Sequence, residues 1–192
     1  MAIKGLRNFV YCLIEKDEET GTTYATDVKK LTGARNISIT PQLAEGALYG
    51  DDQLLESESA ISAIDVSIEL ANLTLEQEAE LTGNEIENGV LKVNKDAVAP
   101  EIAFGFMAPK SKTGGGGFRM VWLLKGTAKP LSEEMATQED NITFQTPTID
   151  YTFTPRLSDG QLMFKADTKE EGAPTEEQFF TTAFLKDGVI GV

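Results

Sequence analysis

A chain of 192 residues that is 41% hydrophobic and 25% charged has enough apolar material for one packed domain and is short for two. Its 17 basic residues stand against 31 acidic ones, a formal charge of -14, which argues against a nucleic-acid grip built on Lys and Arg at phosphates. With no histidine and one cysteine, Ser-His-Asp and Cys-His nucleophiles, His-containing zinc sites and thiolate cages are excluded, which leaves carboxylates or oxygen-ligand metal sites to any enzyme reading.

In chain order, residues 1–7 form an N-terminal arm, and residues 9–14 are an apolar run in which Cys12 reads as a small buried hydrophobe. That run is too short for the core of a signal peptide, lacks a small-residue cleavage site and meets the charged stretch 15–19 at once; a protein made in a reducing cytoplasm is expected. No other stretch is apolar for long enough to span a bilayer. Residues 37–40 alternate apolar and polar briefly. Residues 64–70 do so throughout, with Ile64, Val66, Ile68 and Leu70 on one face and Asp65, Ser67 and Glu69 on the other, which predicts a strand buried on one face only. Thr74 followed by Gln77 is a capping-box signature for a helix over 75–81, and Gly83 stands where its C-terminal cap belongs.

Residues 101–107 and 118–124 read as strands on either side of a segment that contains Gly114, Gly115, Gly116 and Gly117. A phosphate-binding loop needs a helix after its glycines, because the helix N-terminus supplies amide donors and a favourable dipole. Here a β-branched and aromatic run follows instead, and the Gly-Lys-Ser/Thr ending is missing. Residues 109–117 therefore read as a long, flexible hairpin loop, with Lys110 and Lys112 as its charged part. Trp122 lies inside the apolar strand that follows, where core packing is its expected role.

An acidic connector over 131–140 precedes alternating runs at 142–145 and 149–154, with a bend or edge position expected at Pro147. Residues 162–166 follow an Asp159-Gly160 turn signal. Thr175 and Gln178 repeat the capping box before Phe179, Phe180, Ala183 and Phe184, which fall on one face of a helix that Gly188 can end. That helix is expected to pack over a sheet rather than on a membrane. Roughly eight to ten strands with one or two helices make this a mainly β domain. The neighbouring acids Asp51-Asp52 and Glu133-Glu134 match no calcium loop and would point to opposite faces of a strand, so they read as solvated surface; no catalytic, metal or cofactor site is expected.

The blocks ALYGDDQLLESESA, IDVSIELANLTLEQEAELTG, NGVLKVNKDAVAPEIAFGF, FRMVWLLKG and ITFQTPTI resemble, in order and spacing, the major tail protein family of long-tailed, non-contractile bacteriophages of Gram-positive hosts. The resemblance runs from about Gly5 to about Leu185; the glycine run is the one departure, since relatives tend to carry a mixed polar loop there. It implies a single tail tube domain, a β-sandwich or barrel-like fold with one or two flanking helices, whose copies form hexameric rings stacked into a tube for genome passage. Implied with it are the absence of catalysis, a place in the virion tail after assembly in the host cytoplasm, and tape measure, tail tip and tail terminator proteins as partners.

Such a tube makes physical demands. If six subunits each give four strands to one inner barrel, each sheet edge pairs with the next subunit in a closed, heterologous ring. Twenty-four strands spaced about 4.8 Å apart and tilted about 40° give a bore of roughly 40 Å, wide enough for a duplex of about 20 Å. Acidic lining residues would then repel double-stranded DNA in transit without binding it. Asp65, Ser67 and Glu69, with Asp51, Asp52, Glu56 and Glu58 on the adjoining hairpin, are the lumen-lining candidates. The N-terminal arm, the connector 131–140 and the glycine loop are expected to gain order on docking, with Lys110, Lys112 and Gly114 to Gly117 as inter-ring contact candidates. A non-catalytic β-sandwich that binds carbohydrate or decorates a cell or virion surface is the alternative, and a carboxylate-dependent hydrolase a third reading.

Overall fold

The computed structural model describes residues 3–50, 53–132 and 146–189. The strands are β1 (Arg7–Glu18), β2 (Gly21–Tyr24), β3 (Lys29–Lys30), β4 (Ala34–Gly50), β5 (Gln53–Leu70), β6 (Glu85–Glu87), β7 (Val90–Lys92), β8 (Glu101–Pro109), β9 (Phe118–Ala128), β10 (Thr148–Phe153) and β11 (Met163–Asp167). Nine of them join one antiparallel sheet in the order β2-β1-β8-β9-β10-β5-β4, with β3 also on β1 and β11 also on β9, while β6 and β7 form a separate hairpin. The architecture is mainly β and sandwich/barrel-like, with few helices. The expected strand at 142–145, the acids Glu133 and Glu134, and most of the acidic connector lie outside the described residues.

Alternation along three central strands builds two cores, one on each face. On β1, Phe9 and Tyr11 enter the first core, and Val10 and Cys12 the second. On β8 the division is Ile102, Phe104 and Phe106 against Ala103 and Met107, and on β9 it is Val121 and Leu123 against Met120, Trp122 and Leu124. A strand apolar on both faces reads as a continuous hydrophobic run, which is why 101–107 and 118–124 show no polar alternation. The first core is completed by Ile64, Val66, Ile68 and Leu70 of β5 and by Ile149, Tyr151 and Phe153 of β10. Those two strands are apolar on this side only.

The second core is covered by the C-terminal segment, and here the expected single helix is two. Helix α2 (Glu176–Phe179) ends at Phe180, and α3 (Thr182–Asp187) starts afresh, because the Thr181 hydroxyl accepts from the Phe184 amide and acts as a second N-cap. The break places Phe179, Phe184 and Leu185 in the core and leaves Ala183 exposed, so the four positions expected on one face are divided. The capping box of Thr175 and Gln178 forms, and Gly188 ends α3 in the left-handed region. Earlier in the chain, the helix expected at 75–81 is Leu75–Thr82, with the Thr74–Gln77 box complete and Gly83 at φ +73° as its cap.

Arg156, with its side chain 1% exposed, ties the C-terminal cover to the sheet. Its guanidinium donates to the carbonyls of Leu185 at 2.7 Å and Lys186 at 3.3 Å and to the Tyr24 hydroxyl at 3.2 Å, pairs with Asp159, and lies over the Phe164 ring. The buried Trp122 donates its indole N–H to the Phe179 carbonyl at 2.8 Å. Beneath it Gly105 leaves room for the ring, since a Cβ there would lie 2.8 Å from Trp122 carbons. Gly105→Ala should lower unfolding stability by about 1–3 kcal/mol through overpacking. Denaturant titration measures this, and an unchanged midpoint would mean that the ring has room to move.

Candidate functional site

The outer face of β4, β5 and β10 carries three rows of polar residues in cross-strand register. Thr40, Asp65 and Thr152 form the first row, Ser38, Ser67 and Asp150 the second, and Asn36, Glu69 and Thr148 the third. Ser38, Thr40 and Asn36 are exposed and the β5 and β10 members half-buried. The structure thus brings Asp65, Ser67 and Glu69 onto one open face, opposite the first core.

The acids on this face are not bare. Asp65 accepts from the Thr152 hydroxyl at 2.8 Å, from the Gln42 amide and from Lys129 at 3.3 Å. Those hydrogen bonds, Thr152 first, hold its carboxyl below the ordinary aspartate range. Glu69 accepts from Arg35 at 3.1 Å and from the Thr146 hydroxyl at 2.5 Å. Each of the two is therefore matched by a cation, and the face is richer in hydroxyls and amides than in net negative charge. Sequence alternation could place the acids; it could not supply Lys129 and Arg35, which come from other segments.

Beyond this face β4 and β5 continue as a two-stranded arm. The last pair to include a core residue is Pro41 opposite Ile64; after a bulge the ladder runs from Leu43–Ile61 through Glu45–Ser59 and Gly46–Glu58 to Gly50–Gln53. Residues 41–47 and 57–62 are all exposed, and Leu43 and Ile61, paired with each other, are 58% and 47% exposed. At about 3.4 Å per residue the ten positions from 41 to 50 reach on the order of 30 Å past the body. Glu58 and, by its place on β5, Glu56 belong to this arm; Asp51 and Asp52 lie outside the described residues. The lumen-lining candidates are thus divided between the body and the arm. Pro41 is tolerated because β4 is the last strand of the sheet, with no further partner for its backbone.

The glycine loop is a hydrogen-bonded turn rather than slack. A 3-10 turn over Lys112–Gly114 leads into Gly115, Gly116 and Gly117 at φ +89°, +65° and +74°, and this left-handed run is what requires glycine. The Lys110 amide donates to the Gly117 carbonyl at 2.9 Å and the Gly116 amide to the Ser111 carbonyl at 3.0 Å. The N-terminal arm joins it, with Ile3 bridging Lys110 and the Lys4 amide donating to the Pro109 carbonyl. Of the two lysines, Lys112 is exposed, whereas the Lys110 side chain is 8% exposed and bonded to Asp167 at 2.9 Å within its own chain. The charge available to a neighbour from this loop therefore reduces to Lys112. The partner, Asp167, lies 57 positions away and gives no local signal.

Among the described residues no group of three or more His, Cys, Asp or Glu side chains could hold a metal, and no helix is long and apolar enough to cross a membrane. No protein-family model matches the chain, and no curated protein matches it.

Asp167 carries a pH dependence with a definite sign. Hydrogen bonds from Arg119, at 2.8 and 2.7 Å, and then from Lys110 hold its pKa at about 2, below the unfolded value of about 3.9. Its contribution is fully present above about pH 4 and is lost as pH falls toward 2. Acid unfolding of Asp167→Asn should show a shallower loss of stability across that window than the native chain. Parallel curves would refute the assignment.

Proposed function

We propose that this chain is a structural subunit that assembles with copies of itself, and that the assembly is a phage tail tube of stacked rings. The observation that carries the reading is the arm: two strands extended together far beyond any surface of their own domain that could cover them. A two-stranded ribbon alone in water is marginal and takes its stability from a neighbouring surface. Its outer strand is also the open edge of the main sheet, the arrangement that soluble monomers blunt or cover. A neighbour that adds to that edge and supports the arm relieves both conditions, and repetition round a ring closes the sheet.

The polar face of β4, β5 and β10 supports a lumen role. A wall of threonines, serines and charge-matched carboxylates offers DNA phosphates no unpaired cation to hold them, and with Asp150 it keeps a slight negative balance. Genome passage through the bore, a place in the virion tail after assembly in the host cytoplasm, and tape measure, tip and terminator proteins as neighbours belong to this reading. The carbohydrate-binding alternative has less to rest on: among the residues whose side-chain exposure is described every exposed large apolar side chain is aliphatic, and the sole tryptophan is buried.

The test is morphology. Negative-stain electron microscopy and sedimentation of the concentrated pure protein should reveal rings or long hollow cylinders. A monomer at every concentration overturns the reading. In assembled particles, Asp65→Lys with Glu69→Lys should leave tubes intact and slow genome ejection; unchanged ejection kinetics would remove these residues from the bore.

A further inference from the structure

We infer that Asn88, at the tip of the β6–β7 hairpin, is a self-modification site, where the chain's own backbone expels the side-chain nitrogen as ammonia and leaves an aspartate or isoaspartate. This does not depend on the assembly reading. Of the seven asparagines in the chain, Asn88 alone is followed by glycine. A glycine amide is the least hindered backbone nucleophile, because no side chain shields it or restricts its rotation.

The hairpin leaves both reacting groups open. Asn88 at φ +52° and Gly89 at φ +78° form the two-residue loop between the paired Glu87 and Val90, the positive-φ turn for which Asn-Gly is preferred. Both are exposed, and a Cβ placed on Gly89 would meet nothing within 4 Å. Among the described residues neither the Asn88 side chain nor the Gly89 amide has a hydrogen-bond partner. Only the pairs Glu85–Lys92, Ile86–Leu91 and Glu87–Val90 hold the hairpin, and among the described residues no further strand flanks it. A ribbon of this kind opens at little cost, so the loop samples the backbone rotation that brings the Gly89 nitrogen onto the Asn88 Cγ.

The step balances with water as the only co-reactant. The Gly89 nitrogen gives up its proton and bonds to Asn88 Cγ; the Cγ–Nδ2 bond breaks and ammonia leaves with that proton, which closes a five-membered succinimide. Water then opens the ring at either carbonyl. Opening at Cγ restores the ordinary backbone as aspartate, whereas opening at the backbone carbonyl leaves the main chain running through Cβ and Cγ, one atom longer, as isoaspartate. Aspartate suits the same turn. Isoaspartate does not, since an extra chain atom between Glu87 and Val90 upsets the closing pair. Either product sets a third carboxylate beside Glu85 and Glu87, while Lys92, the hairpin's one cation, is already paired with Glu87. Like charges then crowd a ribbon that has little to hold it.

Peptide mapping of the full chain, held for weeks at mildly alkaline pH, tests this. The peptide that contains position 88 should gain the mass difference between O and NH and be labelled by an isoaspartate methyltransferase, while the other asparagines stay intact. Isomerisation at Asp159-Gly160 or Asp187-Gly188 changes no mass and is told apart by that. The rate in the folded chain should lie within about tenfold of the rate in urea, because the hairpin opens cheaply. Asn88→Gln, which needs a larger ring, should lose the reaction, and its thermal melt checks that the fold is kept. In amide NMR spectra Asn88→Asp should keep the shifts of β6 and β7, and aged chain rich in isoaspartate should lose them. A position 88 that stays intact in the folded chain while it reacts in urea, or ammonia traced to another asparagine, overturns the proposal. Unchanged β6 and β7 shifts after isoaspartate has formed overturn the claimed effect on the turn.

Discussion

The fold depends on one constraint at β9: along a single edge this strand takes two different partners. Arg119–Leu123 pair with β11, and Gly126–Ala128 pair with β10. The ladder cannot hold both at one level, so the sheet divides there: β11 forms one branch and β10, β5 and β4, which end in the arm, form the other, while the two-faced strands β8 and β1 lie along the opposite edge of β9. Lys125 occupies the fork and is buried, which would be costly alone. Asp17 meets it at 2.6 Å and also accepts from the Thr22 hydroxyl and the Leu157 amide. Burial pushes the Asp17 carboxyl up, and the bonds from Lys125, Thr22 and Leu157 outweigh it and hold it below the ordinary range. Such a pair is modest evidence for stability, since removing one partner is far more damaging than the intact pair is helpful. Its position at the fork suits it to fix where the branches separate.

From that division the two classes of surface follow. Over Phe9–Cys12 of β1, Ile102–Ala108 of β8 and Met120–Gly126 of β9 neither face is left for solvent, so these stretches cannot meet a partner face-on. The β4–β5–β10 branch keeps one face dry and one wet, and it alone extends beyond the core. Contact with another molecule through a sheet face is therefore concentrated on this branch, where Asp65 and Glu69 are matched by Lys129 and Arg35 on the body and residues 41–62 include no Lys or Arg.

How far the sequence revealed this depends on how local each signal was. Both capping boxes and the Gly83 and Gly188 caps were legible, because their partners lie within three or four residues. Residues 64–70 were legible because one buried face imposes a period of two. The outer half of the arm was not, since a ribbon with no buried face has no reason to alternate; residues 43–50 show no periodic pattern, and the strand ends appear only in the pairing. The break between α2 and α3 was hidden inside a helical spacing at Thr181, a residue favoured at a helix start but also tolerated within one. The pairing of Lys110 with Asp167, and of Lys129 and Arg35 with the β5 acids, joins residues tens of positions apart, and no local pattern carries it.

The distribution of charge also bears on when assembly happens. An arm with acids and no base is kept from pairing with another arm by like-charge repulsion, which limits the edge-to-edge aggregation that an open strand invites. A contact between one exposed acid and a cation of another molecule is weak by itself, worth under about 1 kcal/mol. In the self-assembly proposed above, a subunit built this way would stay apart when dilute, because one such contact gains little. Copies held together in the ring proposed above would present their arms together, and many weak contacts would act as one strong one. In that reading an existing end, which presents several copies at once, would favour growth over new starts without any change in the subunit's own fold.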